Sequence, residues 1–144
     1  MPNGAPLIVS ACLAGLCTRY DGGSTPHPAV IELISSGRAV PVCPEQLGGM
    51  PTPRTCHEIV GERVLDKDGN DHTDAFENGA RQCLELAVMI GCSRAILKSR
   101  SPSCGSGRVY DGSFSGKIIP GDGIFAALLK SKGIEVLSEE DLQA

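Results

Sequence analysis

Apolar residues along this chain fall into short unbroken runs, one long stretch of helical periodicity, and glycine-rich intervals between them. Leu7-Ile8-Val9-Ser10-Ala11 is the first run, and it ends at Cys12. A loop from Gly15 to Pro28, rich in Gly, Thr and Ser, separates it from Ala29 to Ser36, where Val30, Ile31, Leu33 and Ile34 predict a short helix stopped by Gly37. Ala39-Val40-Pro41-Val42-Cys43 is the second run, and its internal proline places it at a sheet edge. Residues 44–57 carry enough Pro and Gly to read as a loop, and Glu58-Ile59-Val60 with Arg63-Val64-Leu65 as a small hairpin turning at Gly61-Glu62. From Asp71 to Ile90, Phe76, Ala80, Cys83, Leu84, Ala87 and Val88 recur at helical spacing, with Gly91 as the stop. Ala95 to Lys98 predicts a third strand, followed by an irregular loop from Ser99 to Gly107 and a tight turn at Tyr110-Asp111-Gly112-Ser113. Asp122 can cap a helix carrying Ile124, Phe125, Leu128 and Leu129, Ile134 to Leu137 is the last strand, and Ser138-Glu139-Glu140-Asp141 resembles a capping box.

Strands that read as continuous apolar runs, alternating with helices, belong to a parallel sheet covered on both faces. The expectation is a single three-layer α/β/α domain over residues 1–144, with a mostly parallel, doubly wound, Rossmann-like sheet of about four to five strands. Thirteen basic residues against seventeen acidic ones leave a net charge of −4, which argues against a nucleic-acid polymer or an anionic membrane as the partner. Aromatics make up 3% of the chain and Trp is absent, so the stacking platforms of a single-strand binder are missing. The apolar stretch Pro6 to Leu16 has no Lys or Arg before it, so it does not read as an export signal. A reducing, cytoplasmic location follows as an expectation. The oligomeric state is not legible.

Cysteine changes the picture. The chain has seven, an odd number, with no Cys-x-x-Cys spacing anywhere. Cys12 follows the first strand, Cys43 ends the second, and Cys104 lies in the loop leaving the third. Loops at the carboxyl ends of parallel strands share one edge, so these three thiols are predicted to converge. Three thiolates match an iron–sulfur cluster with one iron left open, whereas structural zinc wants four protein ligands. His27, His57 and His72 read as loop residues away from the strand ends, with His57 alone able to approach. Cys17 is a candidate fourth ligand, Cys83 and Cys92 read as core, and Cys56 stays open.

The motifs Ser10-Ala11-Cys12-Leu13-Ala14-Gly15, Arg19-Tyr20-Asp21-Gly22, Pro41-Val42-Cys43-Pro44-Glu45 and Leu47-Gly48-Gly49 with Pro51-Thr52-Pro53-Arg54 then take on a second meaning. With Ser101-Pro102-Ser103-Cys104-Gly105, Tyr110-Asp111-Gly112, Phe114-Ser115-Gly116 and Ala126-Ala127-Leu128-Leu129, in that order, the sequence from about residue 7 to 139 resembles the thiouracil desulfidase (TudS-like) family. The resemblance implies an oxygen-sensitive four-iron four-sulfur cluster on the cysteines matching Cys12, Cys43 and Cys104. It implies an open iron that takes the sulfur of a thiolated pyrimidine such as 4-thiouracil, and water that replaces it, giving the oxygenated base and sulfide without net redox change. The expected partner is that small-molecule base.

Glu45, two residues past Cys43, is placed to act as general base for the water. Ser101 and Ser103 flank Pro102 before Cys104, where their hydroxyls can meet the pyrimidine edge; Ser101 is the candidate for substrate contact or proton transfer. Arg54 and Lys98 either neutralise the cluster, bind an anion, or are solvated. Two other classes stay open: a zinc- or thiol-dependent enzyme with Cys104 as nucleophile, and a metal-binding or sulfur-carrier module without turnover.

Overall fold

A computed structural model of the chain describes residues 4–142. Four short strands, β1 (Leu7–Ser10), β2 (Ala39–Val42), β5 (Arg94–Leu97) and β8 (Glu135–Ser138), form one sheet in the order β2-β1-β5-β8. All three pairings are parallel, with Ile8 opposite both Val40 and Ala95, and Ala95 opposite Val136. Successive strand residues face opposite sides. Ile8, Ala95 and Leu97 therefore enter one core with Val42, while Val9 and Ile96 enter the other, which is why these strands read as unbroken apolar runs. β2 is an edge strand, so Pro41 costs the sheet no ladder bond on its open side.

Helix α1 (Pro28–Ser35) covers one face through Val30, with Leu33 and Ile34 beside it. Helices α3 (Thr73–Met89) and α4 (Ile124–Ser131) cover the other through Ala80, Cys83, Ala87, Phe125, Ala126 and Leu129. This is the expected three-layer, doubly wound arrangement, with four strands in its sheet. Two antiparallel hairpins are added, β3 (His57–Val60) with β4 (Arg63–Asp66), and β6 (Arg108–Tyr110) with β7 (Ile118–Pro120).

Several local expectations shift. Residues 44–57 are not all loop: Pro44–Leu47 forms one helical turn, α2, with Pro44 at its first position, where the missing N–H costs nothing. The turn at residues 110–113 opens into a longer connection over residues 111–117. Asp122 does not cap α4. Gly123 does so, and the Asp122 carboxylate instead accepts from the Gly107 N–H at 2.8 Å and from Lys130 Nζ at 2.8 Å. His57 is the first residue of β3, His27 caps α1 by accepting from the Ala29 N–H at 3.2 Å, and His72 sits at the cap position of α3. The capping box at Ser138 is present as expected.

Two glycines seat α2. A Cβ on Gly79 of α3 would lie 1.8 Å from the Pro44 carbonyl oxygen, and one on Gly48 would lie 2.0 Å from the Ala75 carbonyl oxygen. Only bare backbone permits this approach. The turn carrying Cys43 and Glu45 is thereby locked onto the longest helix. No helix among the described residues is long and apolar enough to cross a membrane.

Candidate active site

The carboxyl ends of β1, β2 and β5 open into a cavity of about 450 Å³. Cys12, Cys43 and Cys104 all line it, each delivered by a different strand end. After β1 the chain tightens into a 3-10 turn, Ala11–Ala14, that buries Cys12 and ends at Gly15 in the left-handed conformation. Cys43 is the cap residue of α2. Cys104 sits in a tight loop whose Ser101 carbonyl accepts from the Gly105 N–H at 2.8 Å, and whose Ser103 carbonyl accepts from the Phe125 N–H at 2.8 Å. That second bond ties the loop to the start of α4.

All seven cysteines are free thiols. Burial pushes the thiols of Cys12, Cys43 and Cys104 up from their ordinary value. For Cys12 the charges of Lys98 and Arg19 work in the opposite direction; for Cys43 the backbone of Gln46 and the charge of Arg54 do so, while the Glu45 carboxylate adds to the rise. A cation beside a cysteine favours the thiolate, the form in which it binds a metal. Three thiols from three strand ends on one cavity are a donor set that fits an iron–sulfur cluster with one iron left without a protein ligand.

Beside the thiols runs a buried polar chain. Glu45 accepts from Arg54 Nε through Oε1 at 2.9 Å and from the Ser103 hydroxyl through Oε2 at 2.9 Å. The Arg54 side chain is only 4% exposed, and its remaining nitrogens donate to the Thr18 and Pro51 carbonyls and the Thr52 hydroxyl. A buried carboxylate requires such a partner. Ser101 Oγ accepts from the N–H groups of Ser103 at 3.1 Å and Cys104 at 3.0 Å. Both its lone pairs are then used, so its own proton points to Ser103 Oγ at 3.0 Å. The hydroxyl chain therefore runs from Ser101 through Ser103 to Glu45. Lys98 pairs with Glu139 at 2.9 Å; burial alone would raise that carboxyl, but the bonds from Lys98 and from the N–H and hydroxyl of Ser99 outweigh it and hold it low.

The sequence over residues 7–141 matches the family described as 2-thiouracil desulfurase. The chain belongs to this family. It is 42% identical to YbbK, an uncharacterised protein of Bacillus subtilis strain 168, over 94% of this chain and 97% of that one. Its fold superposes on a solved [4Fe-4S]-dependent thiouracil desulfidase, TudS, with a TM-score of 0.92 at 46% identity, covering 96% of this chain and 93% of the other.

Within this member of the desulfurase family, the structure brings the named candidates Cys12, Cys43, Cys104, Glu45, Ser101 and Ser103 to one cavity. Cys17 is exposed and does not line it, whereas Cys56 does; Cys83 and Cys92 lie in the core as expected. Arg54 is a buried partner of Glu45 rather than a solvated side chain. Sequence reasoning missed Thr18 and Glu58, which also line the cavity, and His57, which it allowed to approach, lines it too. Glu58 accepts from the N–H groups of Gly112 and Phe114 at 2.9 and 3.1 Å, hanging the residue 111–117 connection over the cavity. Only the hairpin pattern around residue 60 signalled that a wall stood there.

Proposed function

We propose that this protein is an iron–sulfur-dependent desulfidase that hydrolyses the C=S group of a small thiolated pyrimidine, of the 4-thiouracil kind, to C=O, with release of sulfide. The observation that carries this reading is the junction of three strand-end thiols with the Glu45–Ser103–Ser101 chain on one cavity. Cys12, Cys43 and Cys104 would hold a [4Fe-4S] cluster, the cofactor printed for the similar TudS structure. When bound, that cluster supplies a Lewis-acidic iron without a protein ligand, suited to a thiocarbonyl sulfur.

The protein's own groups do the rest. The thiocarbonyl carbon needs a water nucleophile, and Glu45, the cavity carboxylate that ends the serine chain, is placed to take its proton. Ser103, 1% exposed, is the buried middle of the chain, and Ser101, less buried, is the end that meets substrate or water. Arg54 keeps Glu45 oriented and its charge compensated. Atoms balance as thiocarbonyl plus water giving carbonyl plus hydrogen sulfide, with no electron entering or leaving. Cys104 as a lone nucleophile fits less well, because catalytic thiols have depressed pKa values and burial moves this one upward.

The test is anaerobic purification and reconstitution with iron and sulfide, followed by assay on 4-thiouracil without added reductant. Uracil and sulfide should appear in equal amounts. A strict need for an electron donor at every turnover, or a colourless protein after reconstitution, would sink the reading.

A further inference from the structure

At the cavity wall that His57 lines, three donors other than the thiols meet where the β3–β4 hairpin packs against the start of α3. His57 and Asp66 stand opposite one another in the hairpin register. His72 is brought in by its own N–H, which donates to the Val64 carbonyl at 2.8 Å. His72 Nε2 lies 3.4 Å from Asp66 Oδ2, and the two histidine rings meet edge to face with centroids 4.9 Å apart. One donor atom from each residue lies within 4.8 Å of the other two, and no other Cys, His, Asp or Glu trio among the described residues does this.

A His72–Asp66 ion pair would explain two of these residues. It leaves His57 unexplained. That side chain belongs to a residue only 6% exposed, and neither ring nitrogen has a hydrogen-bond partner. The Thr55 carbonyl faces the ring but does not reach hydrogen-bond geometry with either nitrogen. A neutral imidazole has one donor and one acceptor to satisfy, and buried polar atoms left without partners in a folded protein point to a water or an ion. Asp66 is already prepared as a ligand. Its Oδ1 accepts from the N–H groups of Asp68 and Asn70 at 2.9 Å each, and Oδ2 accepts from Asn70 Nδ2 at 3.1 Å, which fixes the carboxylate as outer-shell partners do in metal sites.

We propose that His57, Asp66 and His72 form a second metal site, which binds a zinc-type divalent ion through two imidazoles and one carboxylate and is separate from the three thiols. Two nitrogens and one oxygen suit zinc, and three protein donors leave one tetrahedral position for water. Bound there, the ion clamps the hairpin that walls the cavity onto α3, the helix that also seats α2 through Gly79.

The test loads the full chain with iron anaerobically, dialyses it against zinc chloride, and counts iron and zinc separately by elemental analysis. One zinc per chain is expected, and zinc X-ray absorption should show nitrogen and oxygen neighbours at about 2.0–2.1 Å without sulfur at about 2.3 Å. His72→Ala, at the partly exposed ligand, should weaken zinc binding by at least about 100-fold with iron content and circular dichroism unchanged. His57→Gln should do the same, as a second variant that preserves side-chain bulk. Sulfur in the zinc shell, or zinc binding unchanged in both variants, would overturn the proposal. Zinc on the histidines in a protein that takes no iron would support this site while overturning the desulfidase reading. Iron without zinc would do the reverse.

Discussion

Cys83 and Cys104 are both buried thiols, 0% and 5% exposed, yet their surroundings differ in kind. Cys83 lies on the apolar stripe of α3 among Ala80, Ala87 and the residues of α4, and burial pushes its thiol up to about 12. Burial also raises Cys104, but the hydroxyls of Ser10 and Ser103 oppose it, and the nearby thiols of Cys43 and Cys12 add to it. Cys83 has no polar group to stabilise a thiolate. Cys104 has two hydroxyls beside it, and its neighbours Cys12 and Cys43 face Lys98, Arg19 and Arg54. Burial alone therefore does not separate a ligand from a core filler. Polar neighbours and a strand-end loop do.

The largest expected effect follows directly. Replacing Cys12, Cys43 or Cys104 by Ser should each abolish iron binding, whereas Cys83→Ala and Cys92→Ala should leave the iron content near wild type. Loading should also weaken as pH falls, because thiols with raised pKa values must release their protons to bind. Elemental analysis and the visible absorption of each variant decide it. Iron that survives loss of Cys43 but not of Cys83 would erase the contrast.

Next in size is Glu45→Gln, which keeps shape and much of the hydrogen bonding while removing basicity. It should retain iron and lose turnover by roughly 10²–10⁴-fold in single-turnover assays. Wild-type turnover in an iron-replete variant would reduce Glu45 to a partner for Arg54. Ser101→Ala is expected to cost less, on the order of tenfold, as one hydrogen bond of about 1–1.5 kcal/mol is lost from the chain leading to Glu45. A larger loss than for Glu45→Gln would mean that Ser101, not Glu45, carries the proton step.

Much of this contrast was legible in the residues. Unbroken apolar runs identify a two-faced parallel sheet, and strand-end placement brings together three thiols with no local motif in common. What escaped depended on contacts between distant segments. Arg54 reaches Glu45 only because the loop after α2 folds back, and nothing in a Pro-rich stretch says which side its arginine faces. His57 reads as a loop residue because one residue of a short strand shows no alternation. Asp122 has the right type to cap α4, but Lys130 and the Gly107 N–H compete successfully for its carboxylate. Ser103 looks equivalent to Ser101 in sequence, and only the order of hydrogen bonds makes one the middle and the other the end.

The smallest effect is the sharpest check on the core thiol. Cys83→Ala removes one buried sulfur and should cost about 1 kcal/mol at neutral pH, typical of small core truncations. That difference should itself depend on pH. In the folded cluster-free protein Cys83 stays protonated up to about pH 12, while in the unfolded chain it ionises near 9.0. The folded state then binds more protons between those values, so stability falls as pH rises, by up to about 1.4 kcal/mol per pH unit for one group. The contribution is fully present below pH 9 and shrinks above it. Cys12, Cys43 and Cys104 add slopes of the same sign in both proteins and cancel in the difference. Denaturant unfolding of wild type and Cys83→Ala under reducing conditions should therefore show the wild-type advantage vanishing or reversing above about pH 10. A constant advantage through pH 11 would mean that the folded protein tolerates a thiolate at Cys83, and that this core position is less unlike the cavity thiols than its neighbours indicate.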